Sequence, residues 1–140
     1  MARLTIRIDL SDHGAIGPGK IRLLELVGES GSISAAGRAM KMSYRRAWML
    51  VAGVNRCFRT PVVETQLGGA RGGGAALTDL GHDLIARYRA IERAATKASA
   101  VDLAALDAAQ APRRPTAGRR RTGMAAERPR SAAMPRRARA

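Results

Sequence analysis

Residues 31–48 read Gly31-Ser32-Ile33-Ser34-Ala35-Ala36-Gly37-Arg38-Ala39-Met40-Lys41-Met42-Ser43-Tyr44-Arg45-Arg46-Ala47-Trp48, and this stretch decides the fold. Ser32 or Ser34 can accept a hydrogen bond from free backbone N–H groups and so start a short helix that runs to Met40. The turn Met40-Lys41-Met42-Ser43 follows, and Ser43 is a natural N-cap for a longer helix over 43–59. The inward face of that helix is Ala47, Leu50, Val51 and Val54, at i, i+3, i+4 and i+7. Tyr44, Arg45, Arg46 and Met49 fall away from it. The small residues Ala35, Ala36, Gly37 and Ala39 let the two helices approach closely, so a bulky residue at Ala36 is expected to pry them apart.

Upstream, Lys20–Glu29 is helical, with Ile21, Leu24 and Gly28 on one side and Leu23, Leu26 and Val27 beside them. Such a wide apolar stripe suits a helix covered on more than one side. Pro18 stands near its start, and Gly28 and Gly31 end it. Before it, Leu4, Ile6 and Ile8 alternate with Thr5, Arg7 and Asp9, which predicts a half-buried strand over 3–9. Downstream, 62–66 and 75–78 read as two strands joined by the glycine-rich arm 67–74, and Thr78 can cap a last helix over 79–100. That order of parts is a winged helix-turn-helix. The fold class is therefore mainly α with a small β wing, a long C-terminal helix and a basic tail. Residues 1–100 form one DNA-binding domain, and 101–140 form an Ala/Arg/Pro-rich tail. After Gln110 the tail has almost no large apolar residues, too few to offset ordering entropy, so it is expected to be largely disordered.

The 140 residues carry a net charge of +14, which points to a polyanionic partner. Residues 1–100 hold 15 Lys and Arg against 8 Asp and Glu, and residues 101–140 hold 10 against 3, so each part contributes +7. Arginine outnumbers lysine 22 to 3, which base composition can explain in part, so that preference carries no weight here. The single cysteine, Cys57, excludes an internal disulfide framework and reads as a buried structural thiol. No apolar run reaches the ~18 residues of a membrane span, and the N-terminus lacks a signal-peptide core, so a cytoplasmic protein without membrane partners is expected.

In a helix-turn-helix the first helix braces the second, whose N-terminal residues enter the major groove. The candidate DNA contacts are Ser34, Ser43, Tyr44, Arg45, Arg46 and Met49, with Arg71 and Gly72 in the wing. Arg45 is preferred for a base edge and Arg46 for phosphate, since arginine can bond guanine N7 and O6 together. Tyr44 can bond a phosphate or pack on a thymine methyl. Trp48 stands at the border of the inward face, and packing within the protein is preferred there over stacking on DNA. The arm 67–74 is not a nucleotide-binding P-loop, because it lacks the Gly-Lys-Ser/Thr ending and runs into a strand. A flexible hairpin placing Arg71 against a minor groove or phosphate accounts for it better than a passive surface loop. His13 and His82 lie in unrelated segments, metal-ligand spacing is absent, and Asp79 and Asp83 suit the first turn of a helix. Neither an enzyme nor a cofactor nor a metal site is expected.

Gly31-Ser32-Ile33-Ser34-Ala35-Ala36, Met42-Ser43-Tyr44-Arg45-Arg46-Ala47-Trp48, and Val63-Glu64-Thr65 with the arm and Gly81 together resemble the N-terminal domain of ModE-type molybdate-responsive regulators. The resemblance covers 3–100, and more distantly it extends to LysR-type DNA-binding domains. It implies that helix 43–59 reads double-stranded DNA, that 67–74 is the wing, and that a homodimer brings two half-sites into register. The implied dimer surfaces are helix 20–30, through Leu24, and the stripe Leu84, Tyr88, Ile91 and Ala95, which can also pack on its own domain. Full-length members carry β-rich molybdate-binding modules after this domain. Residues 101–140 have no strand pattern, so the chain is expected to lack that sensor, and any small-molecule effector is unknown. The arginine clusters of the tail could instead neutralise phosphates. The leading reading is a dimeric, sequence-specific transcription regulator. A non-specific, nucleoid-like nucleic-acid binder and a winged-helix protein-interaction module are the alternatives.

Overall fold

A computed structural model of the chain describes residues 1–66 and 74–114. The first strand pair is minimal: β1 (Ile8–Asp9) runs antiparallel to β2 (Ala15–Ile16), joined by a 3-10 turn over Ser11–His13. The strand predicted over 3–9 is thus shorter than its alternation suggested. Residues 1–10 do alternate between half-buried and exposed, with Leu4, Ile6 and Ile8 turned inward. Only the last two pair, because β2 offers two residues before Pro18 starts a helix.

Helix α1 (Pro18–Ser30) opens on that proline, whose missing N–H falls where no intrahelical partner exists. It closes at Gly31, where a φ of 68° lets the backbone N–H turn back to the Val27 carbonyl at 2.8 Å. Helix α2 (Ile33–Ala39) is capped by the Ser32 hydroxyl, which accepts from the Ala35 N–H at 3.1 Å. Lys41, at φ 57°, makes the tight turn into α3 (Tyr44–Arg56). There the Ser43 hydroxyl accepts from the Arg46 N–H at 3.1 Å, and the helix ends at Arg56, short of the expected 59. Just beyond it, Cys57 is half-buried rather than buried, and its thiol donates to the His13 carbonyl at 3.0 Å. A Cβ built on Gly37 of α2 would lie 2.9 Å from the Ala47 Cβ, so the two helices are in backbone-close contact.

Strands β3 (Val63–Gln66) and β4 (Gly74–Leu77) pair antiparallel, with Val63 opposite Leu77 and Gln66 opposite Gly74. Two anchors hold this sheet on the helices. The Ala75 N–H bonds the Gly31 carbonyl at 2.9 Å, tying β4 to the α1–α2 corner. Asn55 in the last turn of α3 accepts from the N–H groups of Val62 and Val63, at 2.8 and 3.1 Å, and donates to the Val63 carbonyl at 3.2 Å. The fold is mainly helical with small antiparallel sheets, a winged helix.

Helix α4 (Asp79–Ala98) is capped by Thr78, which accepts from the Gly81 N–H at 3.1 Å and donates to the Pro61 carbonyl at 2.7 Å. Gly81 sits so close to the Val62 carbonyl that any Cβ would collide with it. Ser99 breaks the helix, and α5 (Ala100–Ala109) follows within the segment assigned to the tail from sequence. One core unites α1, α2, α3, the sheet and α4, centred on Ile21, Leu24, Val27, Val54, Val62 and Tyr88. Arg89 crosses from α4 to Glu25 of α1 at 2.6 Å and also holds Glu92 at 2.6 Å. Those hydrogen bonds, to Glu25 first and Glu92 second, raise the Arg89 pKa further above its ordinary value.

Two of the residues named for dimerisation are thereby used at home. Leu24 and Tyr88 are each 1% exposed inside the domain's own core, and the Tyr88 hydroxyl donates to the Ile6 carbonyl at 2.7 Å. A helical stripe looks the same in sequence whether its own domain or a second copy covers it. Leu84 is partly buried against the core, whereas Ile91 is exposed and Ala95 half-buried.

Candidate nucleic-acid interface

The N-terminal turn of α3 stands clear of the core. Ser43, Tyr44, Arg45, Arg46 and Met49 are all exposed, while Ala47, Val51 and Val54 on the other side are buried. That division follows from the 3.6-residue period already visible in the sequence. The Ser43 oxygen is engaged as the cap of α3, so its free hydroxyl proton is what it can offer a phosphate. Ser34, half-buried on α2, accepts from the Arg38 guanidinium at 3.0 Å. Arg71 and Gly72 lie outside the described residues.

Trp48 departs from its expected inward packing. It is 45% exposed, and with Tyr44 at 59% it forms an aromatic edge one helical turn apart on α3. The physical reason is the closeness of α2 and α3: contact at the level of Gly37 and Ala47 leaves no room for an indole between the helices. Trp48 and Tyr44 instead wall an open cleft whose other sides are Ser32, Ile33 and Ser34 of the α2 start and Thr65, Gln66, Gly74 and Ala75 of the sheet.

Electrostatics separate this face from the rest. From Ser30 to Val63 the chain contains six Lys and Arg and not one Asp or Glu. The ion pairs found among the described side chains use Arg7, Arg22, Arg87 and Arg89, all outside that run. Arg38, Lys41, Arg45 and Arg46 therefore carry charge that no described carboxylate neutralises. The acid-free run is readable in the sequence, but the overall net charge masks it. Sequence reasoning also misses Thr65 and Gln66, which line the cleft only through the fold, and Arg38, which bonds Ser34 at its edge. Among the described residues no group of three His, Cys, Asp or Glu side chains could hold a metal ion, and no helix is long and apolar enough to cross a membrane.

A capped short helix, a tight turn, an exposed basic helix and a two-stranded sheet define a winged helix-turn-helix domain. The chain is 42% identical over 100 residues to the molybdenum-pterin-binding protein MopA of Rhodobacter capsulatus, covering 70% of this chain and 38% of that protein. It is 37% identical over 92 residues to the molybdenum transport protein ModE of Azotobacter vinelandii, covering 66% of this chain and 33% of that one. It is 33% identical over 97 residues to the DNA-binding transcriptional dual regulator ModE of Escherichia coli, covering 69% and 37%. No family model matches the chain. The domain is of the ModE type, corresponding to the N-terminal winged helix-turn-helix of that family of transcriptional regulators. The chain spans about a third of the length of the curated relatives it matches.

Proposed function

We propose that this domain binds double-stranded DNA in a sequence-specific manner through the first turn of α3, as a homodimer, and that the protein thereby regulates transcription. One observation carries the reading: Arg45 and Arg46 stand exposed at the start of α3 in a stretch without a single carboxylate. A helix offered in this way suits the major groove, where an arginine can bond guanine and a neighbour can hold phosphate. The relative from Escherichia coli, named as a DNA-binding transcriptional dual regulator, supports the same reading. Other relatives are named for molybdenum transport or molybdenum-pterin binding.

Support for a second copy comes from the far end of the domain. Helix α5 buries none of its residues, and Val101 and Leu106 are 83% and 63% exposed, with Ile91 of α4 exposed as well. Large apolar side chains left open on a small domain favour a protein interface. The proposed dimer surface is therefore Ile91, Ala95 and the rim around Leu84, continued by α5, without Leu24 and Tyr88.

A sequence-indifferent nucleic-acid binder is the second reading, favoured by the 10 of 25 basic residues that lie beyond residue 100. Replacing Arg45 and Arg46 together by alanine separates the two. Under the leading reading, affinity for a preferred duplex falls to the level of a scrambled one. If the unmodified protein never distinguishes the two duplexes, the second reading replaces the first.

A further inference from the structure

We propose that Trp48 is a DNA contact, and that the cleft it walls with Tyr44 holds the sugar–phosphate backbone of one strand where that strand passes between α3 and the sheet. The inference rests on the DNA-binding reading above and extends it to a surface outside the first turn of α3.

Trp48 is the chain's one tryptophan and is 45% exposed, although tryptophan is highly buried on average in folded proteins. It sits one turn beyond Tyr44 along α3, so the cleft continues directly from the basic face. Ser34, Thr65 and Gln66, whose side chains are neutral hydrogen-bonding groups, line the same cleft. Among the described residues, no acidic one lines the cleft. The Ser34 oxygen already accepts from Arg38 at 3.0 Å, which leaves its proton to donate and places a guanidinium beside it.

This chemistry selects one part of the DNA. Hydroxyls and amides beside a cation are the usual donors to phosphate oxygens. The indole offers an apolar wall to the adjoining deoxyribose. A base could stack on the indole only after leaving the duplex, at a cost of a few kcal/mol in unstacking and unpairing. The backbone meets the cleft without that distortion. Trp48 therefore adds affinity without adding sequence information.

The full chain reports on this site directly, because all tryptophan emission comes from Trp48. Mixed-sequence duplex DNA with a visible end label is titrated with the protein, reading label anisotropy for binding and tryptophan emission with acrylamide quenching for the cleft. As anisotropy saturates, Trp48 emission shifts and its quenching by acrylamide is lost. Trp48→Ala weakens binding by about tenfold, and Trp48→Phe restores most of it. The ratio of affinities between preferred and scrambled duplexes stays the same. If anisotropy saturates while Trp48 emission and quenching do not change, the inference is wrong and the DNA-binding reading stands. If anisotropy does not rise, both fall. A melt of Trp48→Ala followed by circular dichroism checks its fold, and the unmodified protein's emission decides the matter even if that variant is unstable.

Discussion

Gly37 of α2 faces Ala47 of α3 so closely that a Cβ on the glycine would lie 2.9 Å from the alanine methyl, inside any ordinary carbon contact. This approach sets the spacing of the helix-turn-helix, and it also forces Trp48 outward. Ala36 beside it is 1% exposed, so the helix pair has no slack on either side.

A Gly37→Val substitution is therefore expected to destabilise the fold by about 1–3 kcal/mol, the usual range for overpacking. Chemical denaturation measures the loss. DNA affinity should fall further than stability alone explains, because α3 is displaced from α2. A variant as stable as the parent would show that the helices separate freely.

The amide of Asn55 is the clamp between α3 and the sheet, with three hydrogen bonds to Val62 and Val63. Asn55→Ala leaves two backbone N–H groups and a carbonyl to find other partners, and should cost about 1–3 kcal/mol. Hydrogen exchange at the amides of Val62 and Val63 should accelerate ahead of that at the core of α1. Asn55→Asp keeps the acceptor and loses the donor, so it should fall between the two. Unchanged exchange in Asn55→Ala would place the clamp elsewhere.

Tyr88 provides the pH signature. Burial first, and the nearby Glu92 second, raise its pKa above the ordinary 10.0, with Arg89 opposing. A raised folded-state pKa stabilises the protein below the unfolded value and is lost as pH climbs through the folded one. Stability should thus hold to about pH 10 and then decline with a slope that Tyr88→Phe reduces. The same variant loses the hydrogen bond to the Ile6 carbonyl, so it should be less stable at neutral pH by about 0.5–1.5 kcal/mol. Thermal melts from pH 7 to 11 test both effects; an identical alkaline slope in the variant would remove Tyr88 from the account.

Deleting residues 111–140 removes 10 arginines and one glutamate. Binding to all duplexes should weaken alike, and the log–log salt slope should flatten by about 0.9 for each phosphate that the segment neutralises. A changed preference among sequences in the truncated protein would mean that these residues read DNA rather than merely attract it.

Much of this is legible in the chain because it is local. The caps Ser32, Ser43 and Thr78 each accept the backbone N–H that their positions imply. The buried face of α3 follows from its period, with Ala47, Val51 and Val54 covered and Leu50 half-buried. What escapes depends on distance along the chain. Glu25 and Arg89 are 64 residues apart, and Tyr88 and Ile6 are 82 apart, so no window of sequence joins them. Trp48 escapes for a different reason. Its position on the helix wheel is ambiguous, and the deciding quantity is the volume left between α2 and α3.

The central claim is sequence-specific binding to duplex DNA by a dimer, and selection of bound duplexes from a random pool tests it most directly. At moderate salt, the purified chain should recover a two-fold symmetric motif with half-sites about one helical turn, ~34–36 Å, apart. Tight, salt-sensitive binding that enriches no motif would contradict the claim and leave a general nucleic-acid coat built on the same fold.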